Sequence, residues 1–306
     1  MKYIFGPILS RRFGRSLGVD LTPFKVCSFD CVFCQLGKTT LKTSERKEYI
    51  PVKDVIKELD DWISSGGTAD YITLAGSGEP TLHTNFGEVI EFVRSSSKML
   101  VTLLTNGTTL HLPEVRKAAS RADIVKVTLS AWDQNSFEKI HRPAPGVTFK
   151  QVLNGEQLFR NEYEGNIWME VFVVQGINSN KSDIMRIAEI SNSIRPDVIH
   201  LNTCIRPPAE DFALSVPEER LLELAELFEP KAEVIATYKK ITNETFLRNE
   251  NAIFEMLKRH PSSIADIARI SGMHPNEISK YLESLIEKNA ITAKTINSVT
   301  YFSTTH

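Results

Sequence analysis

Two hydrophobic rhythms alternate along most of this chain. Strand-like runs, apolar or alternating, include Leu17, Val19 and Leu21 ahead of Thr22, then 71–75, 99–104, 124–130, 167–174 and 197–203. Between them apolar residues recur at three and four, as on helices. Val52, Val55, Ile56, Leu59 and Ile63 do so between Pro51 and Gly66-Gly67, and similar stretches cover 86–93, 112–119, 133–141, 149–163, 182–194 and 216–228. A last short strand is expected at 233–236. Six such strand–helix units, joined by right-handed crossovers, predict an α/β domain over residues 1–240. The expected form is an open, partial (βα)6 barrel with its helices outside.

Two of the strands carry a polar parity. Val125, Val127 and Leu129 share one face, and Lys126, Thr128 and Ser130 the other. A parallel strand buried on both sides normally reads as nearly all apolar. The polar face therefore predicts a lumen that holds a ligand; the alternative is an edge strand wetted on one side. His200 and Asn202 stand against Ile199 and Leu201 in the same way.

From Thr242 on the rhythm changes. Helices are expected at 246–257, 264–268 and 275–288, with a turn at Ser271-Gly272-Met273 and an alternating ribbon over 291–302. This order, assigned to a domain at 241–306, resembles a winged helix-turn-helix. Its seven basic side chains are balanced by seven acidic ones, a poor balance for phosphate contact. DNA is thus the disfavoured partner, and docking or substrate presentation the favoured role.

Composition narrows the class without naming it. With 306 residues, 42% hydrophobic and 24% charged, the chain reads as globular and large enough for two domains. A net charge of −2 points to neither nucleic acid nor an acidic membrane. No apolar run approaches a membrane span, so no membrane partner is expected. The first seven residues lack the apolar core of a signal peptide, and the expected compartment is a reducing cytoplasm.

Chemistry concentrates in Cys27-Ser28-Phe29-Asp30-Cys31-Val32-Phe33-Cys34. Three thiolates spaced C-x3-C-x2-C on one loop can reach three corners of a cubic iron–sulfur cluster. The only other cysteine is Cys204, so one iron would stay open for chemistry. Zinc would want a fourth nearby ligand, a disulfide would leave an odd thiol, and packing does not explain three cysteines in eight residues.

Other polar groups fall at strand ends. Gly76-Ser77-Gly78-Glu79-Pro80 follows the strand at 71–75, where glycines allow close backbone approach and Glu79 offers a carboxylate to an ammonium. Arg11, Arg12 and Arg15 precede the cysteine loop. They could grip a carboxylate or phosphate, or pair with acidic residues and close the barrel's first edge. Lys38, Lys42, Arg46 and Lys47 read as a solvated basic loop. Cys204 follows the sixth strand directly. It is either a small buried apolar residue, the favoured reading, or a hydrogen-atom donor at the barrel mouth.

The cysteine spacing, with Phe33 at the aromatic position, resembles the radical S-adenosylmethionine (radical SAM) superfamily. Gly6-Pro7, Ser10-Arg11-Arg12, Arg15 to Gly18, Gln35-Leu36-Gly37, Gly78 to Leu82, Thr105-Asn106-Gly107 and Asn202-Thr203 extend the likeness over the first 240 or so residues. Within that superfamily they resemble the small tRNA wyosine-synthase-like iron–sulfur oxidoreductases.

The resemblance implies a [4Fe–4S] cluster on Cys27, Cys31 and Cys34, whose open iron chelates the methionine end of SAM. One electron then cleaves the sulfonium and gives a 5′-deoxyadenosyl radical. It also implies adenine contact by Phe33, methionine-end contact by Gly78 and Glu79, and cofactor contacts by Asn106, Ser130, Gln175 and Asn202. The implied partners are a flavodoxin- or ferredoxin-type reductant and an unidentified small molecule or tRNA base. No second cysteine cluster is present, and the C-terminal domain lies outside the likeness. The alternative function is an iron–sulfur redox sensor that reads DNA through the C-terminal domain.

Overall fold

The computed structural model describes residues 2–10, 12–235, 250–259, 261–296 and 298–305. Its first elements are β1 (Ile4–Ser10), β2 (Gly14–Val19), β3 (Val26–Cys27), β4 (Leu41–Lys42), α1 (Val52–Ser64), β5 (Tyr71–Leu74), α2 (Phe86–Ser96) and β6 (Leu100–Leu104). Next come α3 (Pro113–Ala119), β7 (Ile124–Thr128), α4 (Gln134–His141), α5 (Phe149–Glu162), β8 (Asn166–Val173), α6 (Lys181–Ile194), β9 (Val198–Thr203), α7 (Glu218–Ala225) and β10 (Glu233–Val234). The chain closes with α8 (Glu250–Leu257), β11 (Ser262–Ser263), α9 (Ile264–Ser271), α10 (Pro275–Glu287), β12 (Ile291–Ile296) and β13 (Val299–Thr304).

One sheet runs β1-β2-β5-β6-β7-β8-β9-β10. β2 and β5 to β10 are parallel, and β1 lies antiparallel along β2. β1 and β10 are its two ends, so the barrel is open. Six longer parallel strands form its body, as expected. β1 was not expected: Gly6-Pro7 interrupts its alternation, and its pairing with β2 shifts register between Phe5 and Ile8. Proline lacks the ladder donor, which suits an edge strand. β2 also ends at Val19, short of Thr22.

Alternation along each parallel strand sorts the side chains. Leu17, Val19, Ile72, Leu74, Val101, Leu103, Val125 and Val127 are fully buried in the principal core. Helices supply the facing layer: α1 buries Val52, Val55 and Leu59, and α2 buries Val89, Ile90 and Val93. The other parity brings Gly18, Thr73, Lys126, Thr128, Glu170, Phe172 and Asn202 to the wall of a cavity.

The C-terminal segment has its own core, containing Ile253, Leu257, Ile267, Ile278, Leu282 and Phe302. Ser263 and Asp266 form a capping box at the start of α9, and Gly272, with φ +63°, ends it in the left-handed conformation. β13 pairs antiparallel with both β11 and β12. The segment sits on the barrel, with the Tyr301 hydroxyl donating to the Ile205 carbonyl at 2.8 Å. The Arg259 guanidinium lies 3.3 Å from Asp20. The expected boundary between 240 and 241, Ala236 of the last strand, and residues 246–249 of the next helix lie outside the described residues. No helix among the described residues is long and apolar enough to cross a membrane.

Candidate active site in the barrel mouth

The cysteine loop leaves β2 and is pinned from inside. Phe29 and Val32 are buried, while Cys27, Cys31 and Cys34 remain partly accessible. The N–H groups of Asp30 and Val32 donate to the carbonyls of His141 and Ile140, at the end of α4. The hydroxyls of Ser28 and Thr108 meet at 2.7 Å. The loop's apolar positions therefore anchor it, and its three sulfurs line one cavity of about 390 Å³.

The loop after β5 is stitched against this one. Lys25 N–H donates to the Ser77 carbonyl, and Glu79 N–H to the Val26 carbonyl. A Cβ on Gly78 would lie 1.9 Å from the Val26 oxygen, so contact rather than backbone dihedral demands glycine here. Glu79 is buried, and its carboxylate is engaged by neighbours. One oxygen accepts from Thr81 N–H, the Thr81 hydroxyl and the Thr105 hydroxyl, and the other from Asn106 N–H at 2.7 Å. Burial raises its pKa, and these hydrogen bonds only partly offset that. Glu79 touches the cavity, but within this structure it ties two loops together.

Each sulfur has a polar neighbour. Cys27 Sγ accepts weakly from Phe29 N–H at 3.5 Å and Asn106 Nδ2 at 3.7 Å. Cys31 Sγ lies 3.2 Å from His141 Nδ1. Cys34 Sγ accepts from the Lys25 ammonium at 3.0 Å. Burial lowers the His141 pKa to about 3, which keeps the ring neutral. Burial also pushes the Cys27 thiol up to about 12 and Cys31 well above its usual value. A metal must therefore displace their protons.

No three His, Cys, Asp or Glu side chains among the described residues converge on a single ion. Thiols spread around a cavity suit a multi-iron cluster, whose thiolates bind separate irons, better than zinc. Soft sulfur donors, hydrogen-bond donors aimed at them and an ammonium without a carboxylate all fit an anionic iron–sulfur group.

Deeper in the barrel the chemistry changes. Glu170 is ion-paired to Arg12 and to Lys126, the latter at 2.9 Å, and accepts from Asn202 Nδ2 at 3.0 Å. Burial pushes its pKa up, but the two cations outweigh that and hold it well below the usual carboxylate range. His200 sits beside this group with its ring edge toward Trp168, and burial lowers its pKa to about 4. Arg259, from beyond α8, lines the cavity with its guanidinium 4.7 Å from the centre of the Phe5 ring.

Of the residues expected at the site, Cys27, Cys31, Cys34, Phe33, Gly78, Glu79, Asn106, Asn202 and Cys204 line the cavity. Phe33 is stacked on Phe172, with ring centres 4.0 Å apart. Ser130 and Gln175 do not join them. Ser130 is buried behind the wall, where its hydroxyl accepts from Phe172 N–H at 2.9 Å. Gln175 is exposed, and its N–H donates to the Leu214 carbonyl. Arg12 takes the ion-pairing role, Arg15 binds the Thr68 carbonyl, and Arg11 lies outside the described residues. Sequence reasoning missed Lys25, His141 and Arg259. Lys25 sits two residues before Cys27 and could have been flagged there, whereas the other two reach the site only through the fold.

The barrel and the cysteine spacing define a class. Residues 21–190 match the radical SAM superfamily, and the chain belongs to it. Enzymes of this superfamily bind a [4Fe–4S] cluster and SAM.

Among particular proteins, the chain is similar to a UPF0026 protein of Helicobacter pylori (strain J99), at 32% identity over 98% of this chain and 96% of that protein. It is also 32% identical, over 97% of its length, to a Brachyspira hyodysenteriae protein named GTPase Obg, but spans only 44% of that longer protein. A radical SAM methyltransferase from Sphaerobacter thermophilus shares the fold, with a TM-score of 0.53 and 16% identity. That match covers 74% of this chain and 66% of the methyltransferase.

Proposed function

We propose that this chain is a radical SAM enzyme in which Cys27, Cys31 and Cys34 hold the [4Fe–4S] cluster and leave one iron for SAM. When bound, the cluster and SAM supply a 5′-deoxyadenosyl radical for hydrogen abstraction from a substrate. The observation that carries this reading is the meeting of the three sulfurs, Phe33 and the Gly78-Glu79 turn on one cavity at the carboxyl ends of parallel strands. Gly78 lets the turn reach the cysteine loop, Glu79 fixes its position relative to Asn106, and the phenyl ring of Phe33 is available to an adenine.

Below them, Arg12, Lys126, Glu170 and Asn202 present fixed charges and donors to a substrate, a small molecule or a tRNA base. A reductant of flavodoxin or ferredoxin type supplies the electron. We read residues 1–240 as the catalytic domain and 241–306 as a winged-helix-like docking domain. The outward face of α10 carries Glu277, Glu283 and Glu287 with Lys280 among them, a poor balance for phosphate contact.

The test is anaerobic reconstitution followed by reduction with SAM present. Wild type should bind four irons per chain and release 5′-deoxyadenosine, and the Cys27, Cys31 and Cys34 triple alanine variant should do neither. A triple variant that still cleaves SAM sinks the assignment. Cys204 packs against Val32, Val174 and Ala213, and burial lifts its pKa to about 12, both in keeping with a packing role. Its thiol also lines the cavity, so Cys204→Ser separates packing from hydrogen donation through the product formed per SAM cleaved.

A further inference from the structure

Lys25 is a buried ammonium with no carboxylate partner among the described residues. It is 3% exposed, and among the described residues its only side-chain hydrogen bond is to Cys34 Sγ at 3.0 Å. The other buried lysine of the barrel, Lys126, has Glu170 at 2.9 Å. Removing an ammonium from water is costly unless a counter-charge is supplied.

The backbone shows that this placement is enforced. Lys25 has φ +55°, a left-handed conformation that is unfavourable for a non-glycine residue. Its N–H is bound to the Ser77 carbonyl at 2.7 Å, and its carbonyl accepts from the N–H groups of Thr40 and Leu41. Both backbone groups are committed to the loop after β5 and to the return of the cysteine loop, with the side chain directed at the sulfur.

We propose that Lys25 is the fixed counter-ion of the iron–sulfur cluster, raising its affinity for the incoming electron. The inference rests on the cluster assignment above. A four-iron cluster on three thiolates is anionic, and it gains one further negative charge when a flavodoxin- or ferredoxin-type donor passes it an electron. A positive charge beside one ligand stabilises the reduced state more than the oxidised state, and a low local dielectric magnifies the difference. Lys25 is thus a positioning residue for electron entry.

Full-length Lys25→Met and Lys25→Arg proteins test this beside wild type. The readout is the midpoint potential of the reconstituted cluster, titrated by electron paramagnetic resonance without SAM. Met should weaken electron affinity about tenfold, which is about 59 mV for a one-electron couple. Arg should restore most of the potential.

If the Met variant is folded but takes up no iron while Arg does, the requirement for charge is supported. If neither variant takes up iron, shape rather than charge is at stake and the proposal falls. It is equally overturned by a Met cluster at the wild-type potential. Failure of the wild type to assemble any cluster would instead overturn the cluster assignment.

Discussion

The rim and the depth of the cavity solve the same electrostatic problem in opposite ways. In the depth, Glu170 meets two cations and an amide, so its charge is met within the protein. At the rim, the Lys25 ammonium meets a sulfur, and the Glu79 carboxyl accepts from hydroxyl and amide groups. The depth is held by ion pairs, while the rim directs an ammonium at a sulfur. A cavity built this way can keep its substrate-facing groups rigid while its cofactor end responds to occupancy.

The largest effect that separates the two ends should come from Glu170→Ala. It strands Arg12 and Lys126 without their counter-charge, and loss of one member of a buried ion pair costs about 3–5 kcal/mol. Urea unfolding of the metal-free protein measures it. Adding Lys126→Met to Glu170→Ala should recover part of the loss, and an additive result would break the contrast.

Glu156 probes the opposite case. It is fully buried on α5 behind Gly107, and neither of its oxygens has a hydrogen-bond partner among the described residues. Burial raises its pKa well above the usual range, only partly offset by Lys126. The folded state therefore binds a proton that the unfolded chain releases near pH 4. The resulting stability is fully present below that pH and is lost as pH rises through the folded value. Glu156→Gln should gain on wild type as pH rises, and parallel pH profiles of the two would refute this.

Glu79→Gln comes next. One of its two oxygens becomes an amide nitrogen facing donors, at a cost of about 1–3 kcal/mol for a buried group left unsatisfied. The loss should show in thermal unfolding before any SAM is added, since Glu79 already serves the loops. The smallest effect is expected from Tyr301→Phe, which removes the hydroxyl bound to the Ile205 carbonyl, for about 0.5–1.5 kcal/mol. It should loosen the C-terminal segment and leave the cluster spectrum unchanged.

Much of this was legible in the sequence because alternation survives folding. The polar parity at Lys126 and Thr128, and again at Asn202, marked the lumen side correctly. It misled at Ser130, because β7 ends at Thr128 and parity has no meaning past the last paired residue. Gly6-Pro7 hid β1 for a related reason: a register shift breaks the two-residue period. The cysteine spacing is local and could be read directly. The partners of those sulfurs could not: His141 is 110 residues from Cys31 in sequence and reaches it only through the packing of α4.

The carboxylate of Glu79 has one more consequence, for motion. Its two oxygens hold the amides of Thr81 and Asn106, which belong to loops after different strands. Neither loop can open without releasing the other from the shared group. In a deuterium-exchange experiment the two amides should therefore lose protection together, as one cooperative opening rather than two. The mouth of this barrel would then breathe as a single unit, with one frequency of exposure for the whole cofactor end.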